Sequence, residues 1–382
     1  MTKTNFSSSL VSATFESRLN RFTLRCLVEG EPILAYLANP ARLWEIFLPG
    51  RKLYLKPSNR SNKLPYNVIA ADLEGIPVLL DPHLTNFFLE KWLRQKLIPG
   101  LEKYSIVKKE FQLDSSRFDF LLKSKQGFMV LEVKSCTLLA YRAAFFPDAV
   151  SQRGKRHLLK LADLAEQSGW QSMMLFVVWW PKARYFLPEF HIDWAFAQAF
   201  LANKNKINYL AIAATLNHNF EPDEGSIHQL IIPWDLLERE MRDRGVYLLL
   251  IKVEEETTLS VGHLGNIPFR PGYYIYVGSA KKNLQARLNR HRRHQKKLFW
   301  HIDYLLAKAK LCHLLPIRSA TDLECTLADR LSYLAKPIFS FGCSDCHCPS
   351  HLFFSPTNPI HSPPFIYLLQ EFRYQRLESE LT

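Results

Sequence analysis

Apolar residues change their spacing twice along the chain, and each change predicts a new architecture. From Phe15 to about Asp81 they alternate at period two in short runs broken by turns. "RFTLRCLV" (Arg21 to Val28), the turn "EGEP" and "ILAYLA" set the scheme, and "LPGRKLYLKP" and "EGIPVLLDP" repeat it. Such runs predict a small β-barrel or sandwich of roughly five strands. From Leu84 helical spacing takes over. "LTNFFLEKWLRQKL" places Phe87, Phe88, Trp92 and Leu93 along a helix that stops at Pro99-Gly100. Strands follow at "YSIVKKEFQL", "RFDFLLKS" and "GFMVLEVKSC". A helix covers "SQRGKRHLLKLADLAEQSG", "MMLFVVWW" is a fully apolar strand, "DWAFAQAFLANK" a helix and "NYLAIAATL" a strand. Strands alternating with helices indicate an α/β layer with a mixed sheet.

The charged segment "LEREMRDR" (Leu237 to Arg244) marks the next boundary. Beyond it, "GVYLLLIKV" and "GYYIYVGSA" are strands separated by a hairpin-like excursion. A basic helix at "KKNLQARLNRHRRHQKK" and helices near "WHIDYLLAKA" and "DLECTLADRLSYLA" complete an α+β domain. The stretch "SPTNPIHSPP" carries four prolines and opens a tail. The expected organisation is therefore multi-domain: a barrel over 15–83, an α/β domain over 84–236, an α+β domain over 242–355 and a tail over 356–382.

Composition narrows the class. Hydrophobic residues make up 47% of the 382 positions and aromatics 13%, enough for packed cores and too many for disorder. Lysine plus arginine exceed aspartate plus glutamate by 49 − 36 = 13. That surplus favours a polyanionic partner, nucleic acid before an acidic membrane surface. The longest apolar run, Met173 to Trp180, is far short of the ~20 residues a bilayer span needs, so no membrane insertion is expected. The first residues lack the pattern of a signal peptide, and seven cysteines are an odd number. Both point to reduced thiols in a cytoplasm rather than a disulfide framework.

The chemistry starts at "GFMVLEVKSC". Met129, Val130, Leu131 and Val133 read as a buried strand, which puts Glu132 and Lys134 together on one face. They are either a structural ion pair or part of a metal-dependent site. Asp119, in "SRFDFLL" on the expected neighbouring strand, would be a second acid. Hard cations such as Mg²⁺ take one or two carboxylates plus water, and such a cation supports phosphodiester hydrolysis. Lys134 could orient water or steady the transition state. Glu90 and Glu110 are further acids, read as solvated surface residues.

The pattern Asp119…Glu132-Val133-Lys134 resembles the PD-(D/E)xK nuclease core. "SRFDF", "LEVKSCTL", "FPDAVSQRGKRHL" and "WAFAQAF", with "RLNRF" and "LANPARLWEIFLPG" before them, are similar to the sugar fermentation stimulation protein family over roughly Phe15 to Pro233. The resemblance implies an OB-like N-terminal barrel that binds DNA and a PD-(D/E)xK-like domain with Asp119, Glu132 and Lys134 in the catalytic positions. Asp119 and Glu132 would hold Mg²⁺ or Mn²⁺. Asp148, Arg153, Lys155 and His157 fall in a motif beside them, the basic three expected on phosphate. Arg21 and Arg42 are expected on the barrel's basic, nucleic-acid-binding face. Tyr36 and Ala41 stand where the family usually has histidine and glycine.

In the third domain, "GVY" (Gly245 to Tyr247) and "YVG" (Tyr276 to Gly278) resemble the two strands of GIY-YIG nucleases. Arg287 follows on a helix with His291 one turn later on the same face, and Glu324 starts another. A phenol could act as general base, Arg287 could pair with phosphate and Glu324 could hold one Mg²⁺. The set Tyr247, Tyr276, Arg287, His291, Glu324 is the second candidate site, within a stretch similar to an uncharacterised GIY-YIG-like family over roughly Gly245 to Phe354. The asparagine that often completes such sites has no clear counterpart; Asp345 or His351 could substitute. Arg290, Arg292 and Arg293 belong to a helix without acids, expected to grip a nucleic-acid backbone with little base preference. "CSDCHCPSH" offers Cys343, Cys346, Cys348 and His351 as zinc ligands, but CxC crowding favours a packed, hydrogen-bonded turn. The reading is a DNA-binding, Mg²⁺-dependent nuclease. Its alternative is a non-catalytic DNA-binding or regulatory protein that keeps nuclease folds. The oligomeric state is left open.

Overall fold

A computed structural model of the chain describes residues 10–58, 64–293 and 295–381. The start of the chain read for a leader, over residues 1–9, and His294 of the basic run lie outside them. Two compact units divide the chain, Met1–Trp234 and Asp235–Thr382.

The first unit begins with the meander β1 (Val11–Asn20), β2 (Thr23–Val28) and β3 (Glu31–Tyr36). β4 (Lys52–Pro57) pairs with β1, β5 (Tyr66–Leu73) with β4, and parallel pairing of β3 with β5 closes a five-strand barrel. β6 (Ile76–Leu79) is added on β5. The period-two pattern buries Leu24, Cys26, Leu53, Leu55 and Val68.

Helix α1 (Pro82–Gln95) starts at the Asp81 cap with proline in its first turn and ends at Lys96 in the left-handed region. It buries Phe88, Leu89, Trp92 and Leu93, whereas Phe87 is turned outward, because the helical stripe is narrower than the apolar run. β7 (Ser105–Leu113), β8 (Ser116–Ser124) and β9 (Gly127–Cys136) form an antiparallel meander. After β10 (Leu138–Leu139), β11 (Ala143–Phe146) and α2 (Gln152–Ala165), β12 (Trp170–Val178) joins β9 in parallel. β13 (Tyr185–Pro188) and α3 (Trp194–Ala202) lead to β14 (Asn208–Leu216), parallel to β12, and to β15 (Pro222–Gln229). The order β15-β14-β12-β9-β8-β7 is a mixed sheet, as expected, and the central β12 is apolar and buried from Met173 to Val178 because both faces are covered.

The second unit runs α4 (Trp234–Glu240), β16 (Gly245–Val253), the hairpin β17 (Thr257–Ser260) and β18 (Asn266–Phe269), then β19 (Gly272–Ala280). It continues through α5 (Leu284–Arg292), α6 (His301–Leu306), β20 (Lys310–Arg318), α7 (Glu324–Ser332), β21 (Lys336–Pro337) and β22 (Leu352–Ser355). Its sheet is antiparallel in the order β20-β16-β19-β22-β21. β20 escapes the sequence pattern because it contains Pro316, which an edge strand tolerates.

Two expectations are corrected. The basic helix ends at Arg292 rather than continuing to Lys297. Residues 356–381 do not form a loose tail: α8 (Pro363–Gln370) and α9 (Arg376–Glu378) lie there, and Arg373 and Tyr374 between them are buried. Pro359, Pro363 and Pro364 sit in the first turns of helical segments, where they cost no hydrogen bond. Arg373 donates to the Pro316 carbonyl and Arg376 pairs with Glu240 at 2.6 Å, which ties this segment into the unit.

Candidate active sites

In the first unit Asp119 on β8 and Glu132 on β9 are neighbours across the ladder. Asp119 Oδ2 accepts from the Val133 backbone N–H at 2.8 Å, and its Oδ1 accepts from Asn86 of α1 at 2.7 Å. Glu132 is almost fully buried. Its Oε1 accepts from Lys134 Nζ at 2.5 Å and lies 2.7 Å from His157 Nδ1. A carboxylate only accepts, so the proton of that second bond belongs to the imidazole. Glu132 Oε2 is buried and has no hydrogen-bond partner among the described residues. The ion pair between Glu132 and Lys134 exists, and it uses only one of the two oxygens.

Burial, then the Glu132 charge, push the Asp119 carboxyl up to about 6, against the Val133 N–H, Lys134 and Asn86. Burial opposes the Glu132 charge too, but Lys134 and His157 outweigh it and hold this carboxyl below its ordinary value. The pair is thus split into a readily protonated and a firmly ionised acid. Lys134 opens onto a cleft of about 360 Å³ that Arg21, Asn39, Ser135, Ser151 and Arg153 also line.

The expected basic contacts divide. Arg21 and Arg153 are exposed on this cleft, and Lys155 is half-buried on α2. His157 is corrected: buried beneath Glu132, it orients that carboxylate and cannot reach phosphate. Arg42 is corrected as well. Its guanidinium donates to Asp148, covers the Trp44 ring at 4.4 Å and so joins the barrel to the loop before α2. Asp148 completes that joint by accepting from the Leu43 N–H at 2.6 Å. Asn86 went unnoticed, since an amide in the first turns of a helix carries no sequence signal.

In the second unit Tyr247 on β16 and Tyr276 on β19 lie with ring centroids 6.5 Å apart. Gly278 makes room for them, because a Cβ there would stand 2.5 Å from the Tyr247 hydroxyl. The Tyr247 hydroxyl is 2.9 Å from His291 Nε2 on α5. Burial, then Lys296, lower His291 to about 4, so it is neutral at pH 7 and its Nε2 accepts a hydrogen bond from the Tyr247 hydroxyl. Burial pushes the Tyr247 phenol well up, despite Arg287 nearby. Arg287 donates to the Ser279 carbonyl at 2.9 Å and lies over the Trp300 ring at 4.5 Å. Glu324, at the start of α7, accepts from Ser279 Oγ, and its Oε1 is 3.4 Å from His351 Nδ1. All five expected residues therefore converge, with His351 added to them. Asp345 is exposed at a loop tip.

The basic face here is smaller than its sequence suggests. Arg290 is corrected: it makes a two-pronged pair with buried Asp303 at 2.9 and 2.8 Å, and Lys296 points at the same carboxylate from 3.4 Å. Arg292 and Arg293 are exposed and remain available. Asp303, in "WHIDYLL", lies six residues beyond the end of the run at Lys297, which hid its role. The zinc set is corrected too: the thiols and imidazole brought together belong to Cys325, Cys346, Cys348 and His351, without Cys343.

Residues 17–80 match the SfsA N-terminal OB domain, and 83–220 match the sugar fermentation stimulation protein RE domain. The sugar fermentation stimulation protein homolog of Methanothermobacter thermautotrophicus is 35% identical over 187 residues, 49% of this chain and 78% of that protein. This chain belongs to the sugar fermentation stimulation protein family. The Clostridium kluyveri homolog in the same family is 31% identical over 218 residues, 56% of this chain and 94% of its own. A solved family structure, Pyrococcus furiosus SfsA in complex with Ca²⁺, covers 59% of this chain and 96% of its own at 28% identity and a TM-score of 0.53. Residues 246–370 match a further family described as domain of unknown function DUF123.

Proposed function

We propose that the protein is a divalent-cation-dependent nuclease that binds DNA and hydrolyses its phosphodiester bonds with little sequence preference. The observation that carries this reading is the buried Glu132 Oε2, which has no hydrogen-bond partner among the described residues, beside Asp119 and next to a cleft with Lys134, Arg21 and Arg153 on its walls. An unmatched carboxylate oxygen is costly to bury, and a hard cation satisfies it. Asp119 and Glu132 are the residues that would hold Mg²⁺ or Mn²⁺; a family structure in complex with Ca²⁺, another oxygen-seeking cation, supports a divalent cation as partner. A cation held there would offset charge on a phosphate and activate water. Asn86 and the Val133 N–H fix Asp119, while His157 fixes Glu132. Lys134 supplies positive charge where the phosphate would enter, and Arg21 and Arg153 hold the backbone on either side.

In the second unit Arg287 and Glu324 form the corresponding phosphate and cation positions. The buried, proton-retaining Tyr247 favours the alternative there, a phosphate-gripping scaffold rather than a second hydrolytic centre.

The test is cleavage of plasmid and single-stranded DNA by the full chain, with and without Mg²⁺ or Mn²⁺. Lys134→Ala is expected to slow cleavage about 10²–10³-fold, as removal of one charged donor to a transition state does. Glu324→Ala is expected to act more weakly. Unchanged cleavage in the double variant would rule out both sites, and binding without cleavage would favour the scaffold reading for the whole chain.

The raised Asp119 carboxyl gives a pH signature. In metal-free protein its folded value lies above the unfolded one, so its contribution to stability is full below about pH 4 and lost as pH rises through about 6. Cation binding needs the ionised form. Apparent Mn²⁺ affinity should fall about tenfold per pH unit below about pH 6 and level off above it. Calorimetric titration across that range measures it, and a flat profile would remove Asp119 from the ligand set.

A further inference from the structure

We propose that Cys325, Cys346, Cys348 and His351 form a structural Zn²⁺ site that pins the start of α7 to the loop between β21 and β22. The inference does not rest on the nuclease reading. Cys325 is the second residue of α7, Cys346 and Cys348 lie in the loop, and His351 immediately precedes β22. One ligand atom from each falls within 4.8 Å of all the others. Cys346 Sγ and His351 Nε2 are 3.5 Å apart. Bonds of about 2.3 Å to sulfur and 2.0 Å to nitrogen in a tetrahedron put such an edge at about 3.5 Å.

The loop has little else to hold it. Its ends are zipped by Ser340 N–H to the Pro349 carbonyl, at 2.9 Å, and His351 N–H to the Phe341 carbonyl, at 2.8 Å. Between them runs "CSDCHC", which has no apolar side chain other than cysteine to bury. Three thiols, weak hydrogen-bonding groups, face one another and a buried imidazole. Thiolate and imidazole donors in a four-fold set select Zn²⁺ over Mg²⁺ or Ca²⁺, and four protein ligands close the site to water. Cys343, the residue that sequence spacing would include, is outside the cluster.

The site also bears on Glu324. With Nε2 on the metal, His351 carries its proton on Nδ1, which is buried and faces Glu324 Oε1 at 3.4 Å, too poorly aligned for a hydrogen bond as it stands. That is the usual arrangement of a metal-bound histidine oriented by a carboxylate. His351 is then a positioning residue for Glu324, whose neighbour in the chain, Cys325, is itself a ligand.

The experiment is metal analysis of the full chain purified without chelator, followed by Co²⁺ substitution of stripped protein. The expected result is about one zinc per chain, with Co²⁺ giving the visible bands of a tetrahedral site and thiolate charge transfer in the near ultraviolet. Cys325→Ser, an exposed and easily tolerated change, should lower zinc retention at least about tenfold, while Cys343→Ser should leave it unchanged. Glu324→Gln should weaken zinc retention about 10–100-fold, and unchanged retention would overturn the link to Glu324. A wild-type protein that holds no zinc and gives no tetrahedral Co²⁺ spectrum would overturn the site. Equal losses in Cys325→Ser and Cys343→Ser would overturn this ligand set.

Discussion

Glu132→Gln is expected to lower Mg²⁺-dependent DNA cleavage by about 10³-fold while leaving DNA binding within a few-fold of wild type. The substitution keeps shape and an oxygen for Lys134 and His157, but it removes the charge that Oε2 would present to a cation. Loss of cation-centred charge stabilisation is worth several kcal/mol, and about 4 kcal/mol corresponds to that factor. Arg21, Arg153 and Lys155 are untouched, so affinity for the DNA backbone should persist. Single-turnover cleavage and a filter-binding titration, run side by side, separate the two quantities. Cleavage at the wild-type rate would show that the acid pair is only a structural ion pair.

Asp303→Ala should cost the second unit about 3–5 kcal/mol, the range for removing one partner of a buried charge cluster. Asp303 is fully buried and accepts from Arg290, from the Phe299 and Trp300 N–H groups at 3.0 Å, and is approached by Lys296. Burial works against its charge, but Arg290 and the two N–H groups hold its carboxyl below the ordinary value. Its contribution is therefore present above an unfolded value of about 4 and is lost as pH falls below it. Without it Arg290 and Lys296 repel each other beside His291, and the α5 end should loosen. Hydrogen exchange of β16 and β19 in the full chain reads the loss directly. Protection reduced by less than a factor corresponding to about 1 kcal/mol would mean that water replaces the acid cheaply.

The two units carry side-chain clusters of different chemistry. One is a sheet-borne acid pair with a lysine; the other is a tyrosine pair with an arginine and a helix-borne glutamate. Among the described residues no helix is long and apolar enough to cross a membrane, and the net charge suits a polyanion.

Much of this was legible in the chain because it depends on local periodicity. The runs read from the sequence matched β2 and β3 within two residues and β14, β16 and β19 to the residue, while β1 and β5 of the barrel had no run of their own, and the two-residue spacing of Glu132 and Lys134 put them on one face of β9 without any tertiary knowledge. What a side chain does with its charge is another matter, since it depends on partners distant in sequence. His157 looked like a phosphate contact in a basic motif, yet the fold buries it under Glu132, twenty-five residues earlier. Arg290 looked like part of a solvated basic face, yet Asp303 claims it. Cys343 shared a motif with Cys346 and Cys348, yet Cys325, on a helix that precedes the loop, takes its place. The sequence by itself determined most of the strands and helices and which of their residues share a face, because those follow from backbone geometry; β20 and the helices after Ser355 escaped it. Only the tertiary structure decided which charges are spent on one another and which are left for a ligand, because ion pairs and metal sites form between elements that the fold alone brings into contact.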